Sequence, residues 1–256
     1  MNVTKEQQTN ELNLSKKDGK HLVEKTKNKT ILCEDPLIYT VDNYLTKDEC
    51  DYFIKLSKNK LRRALVSLQK AGNISNGRTG SNCWISHDLS EKTKMVGEKI
   101  ANLVNHPLEN AEKFQIIHYN KTQEYRTHYD SWKHDYSEKS LRCIRFGGSR
   151  LLTVLCYLNN VEEGGGTNFS KLDITVKAKQ GRILVFENTF KNNHNRHPLS
   201  QHAGMPVLNG EKYAFNLWFR ECPRKMLYKT YNPEYYKKVE LKEKKNLKYQ
   251  NLFRIK

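Results

Sequence analysis

The apolar positions of this chain change their period partway along it. Before Pro107 they recur at helical spacing. Thr46 with Glu49 three residues on forms a capping box, and Cys50, Phe53 and Ile54 fall on one face behind it. Over Ser90–Asn105, Val96, Ile100, Leu103 and Val104 stand at i, i+4, i+7 and i+8, with Pro107 just past the end. This pattern predicts two scaffold helices. From Lys113 onward it shortens to strand-like runs broken by turns: KFQIIHY, RLLTVLCYLN, LDITV, GRILVFEN and EKYAFNLWFR. The stretch ILCEDPLIYTVDNYL, starting at Ile31, also has strand-like composition, whereas KAGNISNGRTGSN is too polar for a strand and reads as a loop. Helices ahead of many short strands predict an α+β, mainly β fold, a β-sandwich or barrel with helices supporting one face.

Charge alters this outline at its ends. Of the net +17, +3 lies in residues 1–30 and +8 in residues 223–256, which leaves +6 for everything between. The chain therefore divides into a basic polar N-terminal extension (1–30), one domain (31–222) and a basic C-terminal extension (223–256). The tails are either solvated or dock an acidic partner such as nucleic acid or an acidic protein. A length of 256 residues with 37% hydrophobic residues suits one core of ordinary size. No run approaches the roughly 18 apolar residues of a membrane span, and the N-terminus lacks the apolar centre of a signal peptide, so the expectation is a soluble, intracellular chain. Six scattered cysteines without a CxxC pair argue against a zinc ribbon or a dense disulfide framework and leave free thiols as the default.

The strongest chemical signal is YRTHYDSW, in which His128 and Asp130 form an H-x-D pair. On a strand, residues two apart share a face, so this imidazole and carboxylate can bind one metal ion. Two histidines and one carboxylate on one face of an octahedral ion leave three positions open, as in non-haem Fe(II) oxygenases. The stretch NHNRHPLSQHAGMPV offers His194, His197 and His202 as the missing ligand. Asparagines and Pro198 surround the first two and disfavour a helical H-x-x-H site, whereas His202 precedes a turn at Asn209 and Gly210 and then a strand. His134 beside Asp135 lacks the two-residue spacing of a ligand pair.

The order Y-x8-H-x-D, R-x2-T-x3-YLN, EEGGGTNF, G-x4-F, H-x-G-x-PV-x2-G-x-K and then W resembles the prolyl 4-hydroxylase family of 2-oxoglutarate- and Fe(II)-dependent dioxygenases. The resemblance covers roughly Asp35 to Cys222. It implies a double-stranded β-helix, the jelly-roll or cupin-like core, with His128, Asp130 and His202 as iron ligands. It also implies Lys212 opposite the distal carboxylate of 2-oxoglutarate, assisted by the hydroxyls of Tyr119 and Thr167. Arg150 and Trp218 match positions near a peptide-binding groove, and Arg78 would cover the substrate. O₂ is the second co-substrate, ascorbate the reductant, and a proline-containing peptide or protein the substrate, hydroxylated as 2-oxoglutarate is converted to succinate and CO₂.

Each of these positions has a plainer reading. Lys212 is a buried cation with a partner or a lysine reaching out from a strand end. Tyr119 and Trp218 are site or core residues, and Thr167 is a site or a turn residue. Arg150 and Arg78 are substrate contacts or solvated charges. Ser170 stands where the family commonly has proline, and Gly166 where an acidic residue is common; both bear on specificity rather than on the metal set. Two other functions stay open: the same chemistry on another peptidyl side chain or on methylated nucleic acid, and a binding module without turnover.

Overall fold

The computed structural model describes residues 28–67, 72–135 and 137–228. A hairpin of β1 (Lys29–Glu34) and β2 (Leu37–Val41) precedes α1 (Lys47–Ser57). Short strands β3 (Arg62–Arg63), β4 (Val66–Ser67) and β5 (Gly72–Asn73) lead to β6 (Ser81–Ile85) and α2 (Glu91–Val104). Next come β7 (Phe114–Tyr119), β8 (Tyr125–His128), α3 (Glu138–Ile144) and β9 (Arg150–Tyr157). The short β10 (Glu163–Gly164), β11 (Thr167–Phe169) and β12 (Ile174–Val176) precede β13 (Ile183–Glu187). The last strands are β14 (His202–Gly204), β15 (Val207–Asn209) and β16 (Lys212–Arg220).

The two predicted helices form where their caps put them. Thr46 Oγ1 accepts from the Glu49 N–H while the Glu49 carboxylate accepts from the Thr46 N–H, and Ser90 and Thr93 cap α2 in the same reciprocal way. The strands build a major antiparallel sheet in the order β1-β2-β13-β9-β16-β7-β6-β3 and a minor one in the order β12-β11-β14-β8. Together they form the expected jelly roll.

The central strands of the major sheet are buried on both sides, so the alternation along them separates two interiors rather than core from water. On β16, Tyr213, Phe215, Leu217 and Phe219 join α1 and α2 in one apolar cluster. There the Phe53, Phe114 and Phe215 rings meet with centroids 4.9–5.0 Å apart. Ala214 turns the opposite way, towards Phe169 and Val176 of the minor sheet. Residues of that second parity include Gln115, Ile117 and Tyr119 on β7, Leu155 on β9, Phe186 on β13, and Lys212, Asn216 and Trp218 on β16, and all of them line one cavity.

Several details depart from expectation. The segment KAGNISNGRTGSN is not all loop: Gly72–Asn73 pairs with Val66–Ser67, and its last residues open β6. Packing also continues beyond residue 222, because Tyr228 is 2% exposed and lies against Ile144. A docking role for the tails falls mainly on residues 1–27 and 229–256, outside the described residues. Among the described residues no helix is long and apolar enough to cross a membrane.

Candidate metal and co-substrate site

Pairing of β14 with β8 sets His202 directly opposite His128. Asp130 is not on the strand, as the spacing suggested, but just past its end, where a bend turns its carboxylate back between the two rings. Its Oδ1 lies 3.5 Å from His128 Nε2 and its Oδ2 3.7 Å from His202 Nε2. One ligand atom from each of the three residues falls within 4.8 Å of the others. Such a set can hold a divalent ion on one face of its coordination sphere.

The hydrogen bonds around these residues fix the orientation of the rings. His128 Nδ1 is 2.8 Å from the Arg126 carbonyl and His202 Nδ1 is 2.9 Å from the Ser200 carbonyl. A carbonyl only accepts, so both Nδ1 atoms carry a proton, and both Nε2 atoms are turned towards the Asp130 carboxylate. Burial, reinforced by the neighbouring His128, pushes the His202 pKa down to about 4, so this ring is neutral near pH 7. Burial opposes the charge on Asp130, but His202, His128 and Arg150 outweigh it and hold the carboxyl well below its usual range. Two imidazole nitrogens and one carboxylate oxygen therefore converge, the donor set of a divalent-cation site. The residues fit a ferrous ion on this ground.

Asp130 is also held from behind. Its Oδ2 accepts from Trp218 Nε1 and from Thr153 Oγ1, each at 2.8 Å, and Thr153 in turn accepts from Asn188 Nδ2. Arg150 stacks on Trp218 with its guanidinium 3.7 Å from the ring centroid, and its Nε and Nη2 donate to Glu112 at 2.6 and 3.0 Å. Arg220 donates to the same carboxylate at 2.7 Å. Glu112 is 2% exposed; burial opposes its charge, and Arg150 and Arg220 overcome that to hold it ionised.

Deeper in the cavity lies Lys212, 1% exposed and without a hydrogen bond or ion pair among the described residues. The plainer reading does not survive: Lys212 is buried rather than reaching out from the strand end, and among the described residues no carboxylate pairs with it. Its ammonium sits 5.4 and 5.3 Å from the rings of Tyr119 and Tyr157, and burial lowers its pKa from 10.5 to about 7. Thr167 Oγ1 accepts from Tyr157 at 2.7 Å, which leaves its own proton free to donate. Gly80 makes room for the Tyr119 ring, since a Cβ there would lie 2.0 Å from it.

His128, Asp130, His202, Lys212, Tyr119, Thr167, Arg150, Trp218 and Arg78 all line one cavity of about 790 Å³. Arg78 is buried rather than solvated: it donates to the Leu65 carbonyl and to Gln115, lies over Tyr125, and keeps an unpaired Nε. Arg150 is not a surface charge. His194 pairs with Glu221, and His197 is 3% exposed and packs on Phe190, so neither joins the ligand group. His134 bonds to Ser149 and Asp135 to Ser137. Sequence reading missed Glu112, Thr153 and Gly80. Of these, Thr153 left a signal in R-x2-T-x3-YLN and Gly80 in the polar RTG turn, whereas Glu112 left none.

Residues 114–220 match the profile of the 2OG-Fe(II) oxygenase superfamily. A putative prolyl 4-hydroxylase of Acanthamoeba polyphaga mimivirus is 38% identical over 183 residues, covering 72% of this chain and 74% of the relative. Probable prolyl 4-hydroxylase 7 of Arabidopsis thaliana is 34% identical over 209 residues, 74% of this chain but 64% of the longer plant protein. Among solved structures, the viral collagen prolyl hydroxylase of Paramecium bursaria Chlorella virus-1, in its 2-oxoglutarate complex, superposes with a TM-score of 0.57 at 26% identity. That match covers 72% of this chain and 95% of the viral one.

Two predictions follow from these contacts. Trp218→Phe removes the indole N–H from Asp130 and should weaken Mn(II) or Fe(II) binding by about ten- to a hundredfold while leaving the circular dichroism spectrum unchanged. Between about pH 7 and the ordinary lysine value of 10.5, the unfolded chain holds the Lys212 proton and the folded one does not. Folding stability from this group therefore rises with pH across that window and is lowest below it. Urea denaturation of ligand-free protein at several pH values should show a rise on the order of a few kcal/mol that Lys212→Met removes.

Proposed function

Since the chain belongs to the prolyl 4-hydroxylase family of Fe(II)- and 2-oxoglutarate-dependent dioxygenases, we propose that it hydroxylates prolyl residues of a peptide or protein, with His128, Asp130 and His202 as its iron ligands. One observation carries this reading. A His–Asp–His group and a buried lysine with no ion-pair partner among the described residues share a single cavity. The metal chelates one end of a dicarboxylic co-substrate, and the other end needs a desolvated cation.

In this reading Lys212 neutralises the distal carboxylate of 2-oxoglutarate, and the Tyr119 and Thr167 hydroxyls donate to it. Ligand-free Lys212, with its pKa near 7, takes up a proton as the dicarboxylate binds above that pH. When bound, iron, 2-oxoglutarate and O₂ together supply the oxidising power that converts a substrate C–H to C–OH, with succinate and CO₂ as by-products. The protein's part is orientation. The Arg126 and Ser200 carbonyls orient the imidazoles, and Trp218 and Thr153 hold one Asp130 oxygen, leaving the other to serve as a ligand when a metal is bound. Arg78, with its orphan Nε, and the Arg150–Trp218 stack offer groups to a peptide backbone on the substrate side. Ascorbate is the reductant that keeps the iron ferrous. The catalytic unit is residues 31–222, extended by the packed residues up to Tyr228, with the basic tails available to acidic partners.

Incubation with a proline-rich peptide, Fe(II), 2-oxoglutarate and O₂ should add one oxygen atom to proline and release an equal amount of succinate. His202→Ala should abolish both, and Lys212→Met should raise the KM for 2-oxoglutarate by about ten- to a hundredfold. Loss of methyl groups from a methylated oligonucleotide, with no change in the peptide, would overturn the prolyl assignment.

A further inference from the structure

Among the described residues, ten lysine and arginine side chains line the cavity but only two carboxylates do, Glu112 and Asp130. Both are engaged already, Glu112 by Arg150 and Arg220 and Asp130 by the ligand histidines, Trp218 and Thr153. Arg78, Lys212 and Arg220 are buried. A second set of cations lies nearer solvent, on three separate elements: Arg62 and Arg63 on β3, the last strand of the major sheet, Lys139 on α3, and Arg196 in the loop between β13 and β14.

These four share no ion pair with any carboxylate among the described residues. Arg62 donates to the Leu61 carbonyl, Arg63 to the carbonyls of Gly80 and Ser75, and Arg196 lies 3.8 Å over the Tyr129 ring. Such contacts hold the guanidinium groups in place without neutralising them. A cleft with low-dielectric walls concentrates the field of charges along it, and at physiological salt that field reaches about 8 Å from each. Trp84 and Leu65, 44% and 48% exposed, add apolar surface to the same opening. A strand of nucleic acid would call for cations following a backbone track. Here they line one cavity that closes on the His–Asp–His group, which suits a short peptide segment better.

We propose that this opening selects proline-containing peptides carrying aspartate or glutamate beside the target residue, with Arg62, Arg63, Lys139 and Arg196 as the groups that read the charge. The inference rests on the prolyl reading above and adds its substrate class. Positively flanked peptides are disfavoured by the same field. The selection acts on encounter and binding, so it appears in KM more than in kcat and fades with salt.

The test uses three peptides that share one proline-containing core, flanked by Glu, Gln or Lys, with the full chain, Fe(II) and 2-oxoglutarate and a mass-spectrometric readout. The Glu peptide should exceed the Gln peptide in kcat/KM by about tenfold, and the Lys peptide should fall below it by a similar factor. Both differences should shrink as salt is raised. Arg62→Gln with Arg63→Gln, and separately Arg196→Gln, should each lower the Glu-to-Gln ratio, a comparison within one variant that does not depend on how much of it folds. Equal kcat/KM for all three peptides overturns charge selection and leaves the prolyl reading standing. No oxygen gained by any of them, while the protein still binds metal and 2-oxoglutarate, defeats the prolyl reading and this inference with it. Oxidation of a methylated oligonucleotide in preference to the Glu peptide also overturns it and assigns the cations to nucleic acid.

Discussion

The Asp130 carboxylate is buried with a negative charge, and most of the site is arranged around keeping it so. Its Oδ2 is bound by the Trp218 indole and the Thr153 hydroxyl, and its Oδ1 is left towards His128. A buried carboxylate with one oxygen tied and one free is a directed ligand rather than a diffuse charge. The imidazoles that share the position are turned by backbone carbonyls so that their Nε2 atoms face it. None of these groups is stable alone in a low-dielectric interior, and together they create a demand for a cation. Lys212 makes the opposite demand, for an anion, in the same cavity.

The fold meets both demands by using its central strands twice. Residues of one parity on β16 pack under the helices with Phe53 and Phe114, and residues of the other parity, Lys212, Asn216 and Trp218, enter the cavity. The helix-side cluster supplies the apolar burial that lets the other side carry charge. It also explains why the strand sequence KYAFNLWFR is nearly all buried although only half of it is a hydrophobic core. The Glu112–Arg150–Arg220 cluster extends the same logic, because Arg150 reaches the ligand carboxylate through Trp218.

Much of this was legible in the sequence. Capping residues located both scaffold helices, short strand runs gave the mainly β fold, and the order of motifs singled out His128, Asp130, His202 and Lys212. What stayed hidden depends on partners far apart in the chain. Glu112 reads as an ordinary acidic residue until folding brings Arg150 and Arg220 to it, and Arg78 reads as a loop charge until Gln115 and the Leu65 carbonyl receive it. The bend that carries Asp130 off the strand was equally invisible, because a two-residue spacing does not say where a strand stops. Trp218 was legible as a residue near the site but not as the donor to Asp130, a contact set by the juxtaposition of β16 and the end of β8.

Anomalous diffraction from anaerobic crystals grown with Mn(II) and 2-oxoglutarate tests the central claim most directly, since it locates the ion and the dicarboxylate independently of turnover. The expected result is one manganese peak bonded to His128 Nε2, Asp130 Oδ1 and His202 Nε2, with the far carboxylate of 2-oxoglutarate on the Lys212 ammonium. Manganese bound through His194 or His197, or a dicarboxylate whose far end lies away from Lys212, would contradict it.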